Sequence, residues 1–302
     1  MSHHAPAAIE RKLWLIPALA VAAAVCAFWQ PYPPDAVDVF NRHAPPSAAH
    51  WLGTDQLGRD LASRVMAGMA RTFLAVGIVA AMCVALGLAV GLAAAGARGI
   101  VRAGLLRLAE FAAVMPSMVV AIAVVAVAGF DVVTAGVALG LGAWGPYALL
   151  ADGLARRALA EPYVRAAAAL GASRPRVLVR HVLPAILDTQ FAYLGAKLGR
   201  VAIAYAALAF LGLGADPGRP DWGAMLHEYR LLAFDHPGLM LWPGFALVTM
   251  CVVLRAALGK DAGARVPASS ADTPAALACA DLHAPEADNP VAVGVETAPR
   301  TG

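Results

Sequence analysis

The sequence GTDQLGRD, residues 53–60, places two carboxylates and one guanidinium within six residues. Asp55 and Arg59 are one helical step apart and can pair, and Asp60 stands where it can cap a helix. Two interpretations follow from the spacing. Either these residues cap and brace a short amphipathic helix, or they contact a protein that docks on this loop.

Two cations, Lys197 and Arg200, lie inside an apolar run at about 185–210. Their spacing puts them on one helix face, and a rise of about 1.5 Å per residue puts Lys197 near the middle of a membrane-spanning helix. Charges at that depth face a protein interior or a water-filled path. We expect a path that favours anionic groups, such as the carboxylates of a peptide or a metal chelate. The alternatives are an ion pair with an acid on a neighbouring helix or partner subunit, and snorkelling.

A third polar segment, EPYVRAAAALGASRPRVLVRHVLP, covers residues 161–184 and contains four arginines. Pro162 suits a helix start after Glu161, and Gly171 suits a left-handed helix end. A second short helix is expected to restart at Ser173 and to run to Pro184. Small residues would let the groove of another protein approach closely. The alternative is a basic loop that lies on anionic headgroups.

Metal, cofactor and nucleotide sites are not indicated by the remaining polar residues. Four histidines, at 43, 50, 227 and 236, fit no ligand spacing, and the four cysteines form no CxxC motif. A GxxxxGK[ST] phosphate-binding motif does not occur in the sequence. We therefore expect no metal or nucleotide to be bound by this chain, and net charge +3 gives no nucleic-acid footprint.

The elements that carry these residues are expected to be transmembrane α-helices. The chain is 60% hydrophobic and 14% charged, with a mean hydropathy of +0.68, whereas soluble domains carry about 25% charged residues. Apolar runs reach the length of ~20 residues that a helix needs to cross a bilayer, and the alternating segments of a β-barrel are absent. Six helices are expected, at about 13–30, 72–97, 105–129, 133–151, 185–210 and 238–258. The first is interpreted as uncleaved, not as a signal peptide.

The distribution of basic residues predicts the orientation of the chain. With the N-terminus in the cytoplasm, fourteen Lys and Arg residues fall on the cytoplasmic side and six on the opposite side. The segment 161–184 then faces the cytoplasm, and GTDQLGRD faces outwards. Residues 261–302 lack helical periodicity and are expected to form a disordered cytoplasmic tail.

Four ordered segments resemble one family of membrane proteins. The 161–184 segment is similar to the "EAA" loop of bacterial ABC importer permeases, through Ala166, Ala167, Gly171 and the pair Leu183–Pro184. YVRAAAALGAS and RHVLP are closer still to its dipeptide, oligopeptide and nickel branch. HWLGTDQLGRDLASRVMAGMARTFLAVG, MPSMVVAIAVVAVAG with WGPYALL, and LAFLGLGADPGRPDWGAML resemble further signatures of that branch. The resemblance extends to about residue 258.

The resemblance implies the permease subunit of an ATP-driven importer, with the six-helix type I importer fold and no enzyme activity of its own. Its expected partners are a second permease, two ATP-binding cassette subunits that hold ATP and Mg, an extracytoplasmic substrate-binding protein and the lipid of the bacterial inner membrane. Residues 1–71 would form the first helix and the outer loop, and residues 72–260 the core. The substrate would be a di- or oligopeptide, or a nickel or metal-chelate complex.

The resemblance also implies roles for individual residues. Within a coupling loop at 153–184, contact with the ATPase is expected through Glu161, Tyr163, Val164, Arg165, Ala166, Ala167, Gly171, Ala172, Ser173, Arg174, His181 and Pro184. Lys197, Arg200 and Tyr205 would line the substrate pathway. The binding protein would be contacted through Asp55, Arg59, Asp60 and Trp222.

Several positions depart from the family pattern. Arg165 stands where the general loop has Glu, Ala185 replaces a common Asn, and Tyr205 stands where an acid is common. These departures concern substrate contacts more than coupling. A stand-alone secondary transporter or channel is the alternative function, although no acid is placed convincingly at mid-depth. A membrane enzyme is disfavoured because no nucleophile–base arrangement is evident.

Overall fold

The computed structural model describes residues 15–213 and 219–258, which are helical apart from loops and one isolated bridge between Thr54 and Asp60. The predicted tail at 261–302 lies outside these residues. The α-helices are α1 Leu15–Phe28, α2 Leu61–Gly96, α3 Gly99–Val114, α4 Ser117–Ala128, α5 Val132–Ala143, α6 Gly145–Ala160, α7 Pro162–Ala169, α8 Arg174–Val177, α9 Leu183–Leu208, α10 Trp222–Tyr229 and α11 Pro237–Leu258. Short π-helical segments at Leu178–Val182 and Ala209–Leu213 flank α9, and a 3₁₀ turn at Arg230–Leu232 follows α10.

Three helical segments are long and apolar enough to cross a membrane: Leu61–Gly96, Arg174–Gly212 and Pro237–Ala256. Two bent pairs, α3 with α4 and α5 with α6, raise the number of spans to as many as five if each pair is one span. The six predicted apolar runs all coincide with helices. The all-helical prediction is confirmed, whereas a count of six spans is not established within the described residues.

Two of the predicted helices are broken near their middle. The run 105–129 bends by 83° between α3 and α4, and the run 133–151 bends by 46° between α5 and α6. Met115 is extended (φ −66°, ψ 124°), as expected for the residue before Pro116. Pro146 lacks the N–H that would continue α5 into α6. Apolar periodicity alone did not show these breaks.

The predicted helix end at Pro184 is wrong. The segment that starts at Arg174 continues past Pro184 as one span to Gly212. Just before the proline, the Leu183 N–H donates to the Leu178 carbonyl, five residues back, in a π-helical turn. A wider turn of this kind lets a helix absorb a missing donor without ending.

Small residues let the long helix α2 pack closely against its neighbours. A Cβ on Gly91 would lie 2.5 Å from both the Ala148 carbonyl oxygen and the Ala151 Cβ of α6. By contrast, a Cβ on Gly77, in the same helix, would meet nothing within 4 Å. The contact of α2 with α6 therefore depends on a missing side chain, which is how membrane helices commonly associate.

We expect Gly91→Ala to destabilise the purified chain in detergent by about 1–3 kcal/mol, because the added methyl overpacks the contact with α6. Gly77→Ala is the matched control and should be neutral or stabilising by up to about 1 kcal/mol, through helix propensity. Thermal unfolding of both variants checks this expectation. Equal stability of the two variants would contradict the close packing of α2 on α6.

Candidate functional site

The GTD motif, residues 53–60, forms a turn with buried ion pairs and not the short helix that the spacing predicted. Oδ1 of Asp55 accepts the backbone N–H groups of Leu57 and Arg59 at 2.8 and 3.0 Å. Its Oδ2 accepts Arg59 Nε at 2.6 Å and the Tyr229 hydroxyl at 3.0 Å. Gly58, at φ +76°, allows the tight turn that makes this possible. Asp55 and Arg59 are both almost fully buried.

A second carboxylate, Glu228 of α10, completes this network. It accepts hydrogen bonds from Arg59 Nη2, from Gln56 Nε2 at 2.8 Å and from Arg64 Nη2 at 3.1 Å. Arg64 also lies 3.7 Å from Asp55 Oδ2. Two arginines, one in the GTD motif and one in α2, are thus neutralised by one acid of the turn and one acid of α10. Glu228 was not singled out from the sequence, because more than 160 residues separate it from its partners.

Asp60 and Trp222 join the same region to α2. Asp60 caps α2 by accepting the Ser63 N–H at 2.8 Å, and its other oxygen lies 3.0 Å from His50 Nδ1. Trp222 donates its indole N–H to the Val65 carbonyl at 2.8 Å. A Cβ on Gly68 would lie 2.5 Å from the Trp222 ring, so glycine is needed for this contact.

The buried environment perturbs acid–base groups near this network. Burial lowers the pKa of Arg59, whereas the carboxylates of Asp55 and Glu228 raise it. The net effect is a raised pKa. Burial raises the pKa of Tyr229, which keeps its hydroxyl a donor to Asp55. Asp55 and Arg59 therefore brace a turn, and Asp60 caps α2, so capping and bracing are present without the short amphipathic helix of the first interpretation. Trp222, which that interpretation did not include, joins α10 to α2. Contact of these four residues with a binding protein stays a prediction. Because their side chains are buried, exposed residues next to them would have to make the contact.

We expect Asp55→Asn to destabilise the chain by about 3–5 kcal/mol, since removing one partner of a buried ion pair leaves uncompensated charge. Glu110→Gln is the control, because Arg107 and Glu110 form an exposed pair at 3.0 Å, and such pairs contribute about 0–1 kcal/mol. Chemical unfolding of the two variants separates the effects. A loss below about 1 kcal/mol for Asp55→Asn would show that the buried network is not a stabilising element.

The arginine-rich segment, residues 161–184, lies at the opposite end of α2 from the GTD motif. α7 begins with Pro162 in its first turn and ends before Gly171, whose φ is +89°. Both boundaries confirm the predicted helix start and left-handed end. Val164 is buried with Val177, Val182 and Ile186 against alanines of α6. A small apolar cluster of its own therefore anchors this segment.

Most of the predicted ATPase-contact residues are exposed. The exposed residues are Glu161, Tyr163, Arg165, Ala166, Gly171, Ser173, Arg174 and Pro184, the half-buried ones are Ala167, Ala172 and His181, and Val164 is buried. Leu170, between α7 and Gly171, is 90% exposed and was not singled out from the sequence. We name the surface of Tyr163, Arg165, Leu170, Arg174 and Val179 the docking face, after the ATPase contact predicted for it. It combines apolar and cationic side chains.

A cavity of about 220 Å³ lies where the breaks of the two bent pairs meet α9. Ser117 at the start of α4 and Pro146 in the first turn of α6 both line it, together with Lys197 and Arg200 of α9. Lys197 Nζ lies 5.0 Å from the centre of the Tyr193 ring. The structure therefore brings two of the predicted pathway residues to one cavity.

Tyr205, the third predicted pathway residue, does not line this cavity. It is fully buried, with its ring centre 6.1 Å from that of Phe130. Its hydroxyl lies near Arg71 and Asp221 without a well-formed hydrogen bond. Burial raises the pKa of Asp221, although its contacts with Tyr205, the Gly223 N–H and Arg71 favour the charged form. These contacts make Tyr205 part of a buried polar cluster between α2, α9 and the start of α10.

Comparison with known proteins identifies the class of molecule that this geometry belongs to. Residues 85–259 match the family described as "Binding-protein-dependent transport system inner membrane component". The chain belongs to this family, and it is an ABC importer inner-membrane permease of the peptide and nickel group.

Two named permeases are similar to this chain over most of its length. The nickel transport system permease protein NikC of Escherichia coli (strain K12) is 32% identical over 243 residues, which cover 79% of this chain and 86% of NikC. The glutathione transport system permease protein GsiD of Pectobacterium atrosepticum is 34% identical over 227 residues, covering 73% of this chain and 75% of GsiD.

Membership of this family settles the general character of the chain. It is a multi-pass inner-membrane protein and a transport subunit, not itself an enzyme. Permeases of this kind work together with other permease, ATPase and binding-protein subunits.

Proposed function

We propose that this chain forms half of the translocation pathway of an importer for di- or oligopeptides or for nickel or metal-chelate complexes, and that it is driven through its arginine-rich segment. Its partners would be a second homologous permease, two ATP-binding cassette subunits that hold ATP and Mg, and an extracytoplasmic binding protein. The relatives named for nickel and for glutathione, a tripeptide, support both substrate classes.

The observation that carries this proposal is the docking face at the end of the bundle. Leu170, Val179 and Tyr163 are 90%, 61% and 54% exposed, among arginines, on a segment that its own apolar cluster holds in place. Apolar side chains that protrude from a basic surface suit the groove of a protein partner. A segment that only bridged two spans would not need such a surface.

The continuous helical span Arg174–Gly212 links the docking face to the cavity. It begins in the arginine-rich segment and carries Lys197 and Arg200 about two-thirds of the way along. Movement of the docking face on closure of the ATPases would therefore shift one wall of the cavity. Among residues 15–213 and 219–258, no contact specifically favours the alternative of a stand-alone transporter or channel.

We expect Leu170→Glu to reduce copurification of the ATPase subunits with the assembled complex on the order of tenfold, since burying a Leu side chain contributes roughly 1.5–3 kcal/mol. The matched control is Leu231→Glu, which replaces another strongly exposed leucine, 80% exposed against 90% for Leu170, at the GTD end of the bundle. This control should retain the ATPases at the wild-type level.

Retention of the ATPases by Leu170→Glu would contradict the proposed docking face, and the segment would then be a connection lying on headgroups. Gly171 is a poorer choice for this test. Its φ of +89° makes any side chain there strained, whatever the partner does.

The proposed orientation puts the N-terminus, the C-terminus and the docking face in the cytoplasm. In a chain whose native cysteines are replaced by alanine, we expect Leu231→Cys to react with a membrane-impermeant maleimide in intact cells. Leu170→Cys should react only after permeabilisation. The opposite pattern would invert the proposed topology.

A further inference from the structure

The cavity defined above occurs where both bent pairs interrupt their helices. Ser117 begins α4 directly after the 83° bend, and Pro146 and Tyr147 lie in the first turn of α6 after the 46° bend. Irregular backbone at membrane depth is tolerated where it is buried in protein or lines a water-filled space. The N-terminal ends of both half-helices carry partial positive charge towards this space.

The side chains of the cavity have one sign of charge. Lys197 and Arg200 line it, and among the described residues no lining side chain is acidic. Neither cation forms an ion pair with an acid in the described ranges, and Lys197 lies over the Tyr193 ring. Two cations within a membrane span and without an acid are costly unless a ligand or a partner subunit balances them.

The remaining polar groups of the lining can complete an anion site. Ser117, Tyr147 and Tyr193 line the cavity from three different helices, and their side chains carry hydroxyl groups, which can donate to a carboxylate oxygen. Arginine can hold a carboxylate with two parallel hydrogen bonds. A volume of about 220 Å³ suits a carboxylate-bearing end of a substrate and not a whole peptide.

We propose that this cavity binds the anionic group of the transported molecule, so that the importer selects carboxylate-bearing peptides or chelates over neutral and cationic ones. This inference rests on the proposed function, because it assigns the substrate class of the same pathway. The competing account is that an acid of the second permease pairs with Lys197 and Arg200 and makes them structural.

The test measures the electrostatic potential of the cavity in the assembled complex. Ser117→Cys is introduced into a chain whose native cysteines are alanine. The cysteine is then modified in separate reactions by two methanethiosulfonate reagents. One carries a negatively charged sulfonatoethyl group and the other a positively charged trimethylammonioethyl group. The modification rate of each reagent at position 117 is divided by its rate with a small thiol in solution, which removes the difference in intrinsic reactivity between the two reagents. We expect the anionic reagent to be favoured on the order of tenfold, because like charge is excluded from a site of low dielectric constant.

Matched variants assign this preference to the two cations. Lys197→Gln with Arg200→Gln should abolish it, whereas Lys197→Arg with Arg200→Lys should retain it. A ratio near one in the parent chain would overturn the proposal, since a partner acid would then already neutralise the cations.

A second readout tests occupancy by substrate. Modification of the same cysteine by an uncharged thiol reagent should be slowed by millimolar trialanine and not by its C-terminal amide, which lacks the carboxylate. Equal slowing by both peptides, or by neither, would overturn the assignment of substrate class. Both readouts are taken without ATP. These two readouts therefore test the anion site separately from coupling. They remain valid even if Leu170→Glu keeps its ATPases and the proposed coupling fails.

Discussion

The structure depends on one constraint: backbone polar groups at membrane depth need partners within the protein. The span Arg174–Gly212 meets this constraint over 39 residues without a break, and a π-helical turn accommodates Pro184. At about 1.5 Å per residue it is nearly 60 Å long. One continuous element therefore carries residues of the docking face at one end and cavity residues in its middle.

The two bent pairs meet the same constraint differently. Their breaks leave helix ends near the middle of each bent pair, and Ser117 and Pro146 at those ends line the cavity. The two bent pairs also pack closely against each other. A Cβ on Gly145, for example, would lie 2.5 Å from the Ala109 carbonyl oxygen of α3. The uninterrupted span and the two interrupted pairs therefore meet at one cavity.

The sequence was sufficient for the features with local causes. Pro162 and Gly171 set the limits of α7 through their own backbone restrictions, and Asp60 was recognisable as a helix cap. The lysine and arginine one step apart on α9 were also recognisable, because charge is rare in an apolar run. Features that depend on residues far apart in the chain could not be predicted in this way. Glu228 is recruited by arginines far away in the chain, and the bends at Pro116 and Pro146 interrupt runs whose apolar character is continuous.

The central claim is that the docking face and the cavity move together, and access to the cavity in two nucleotide states tests it most directly. The reaction rate of Ser117→Cys with one small hydrophilic thiol reagent would be compared in the nucleotide-free complex and after trapping with ATP and vanadate. Val119→Cys, an exposed position on the same helix, serves as the reference. The account predicts that trapping changes the rate at position 117 severalfold and leaves the rate at position 119 unchanged. Equal rates at position 117 in both states would contradict it.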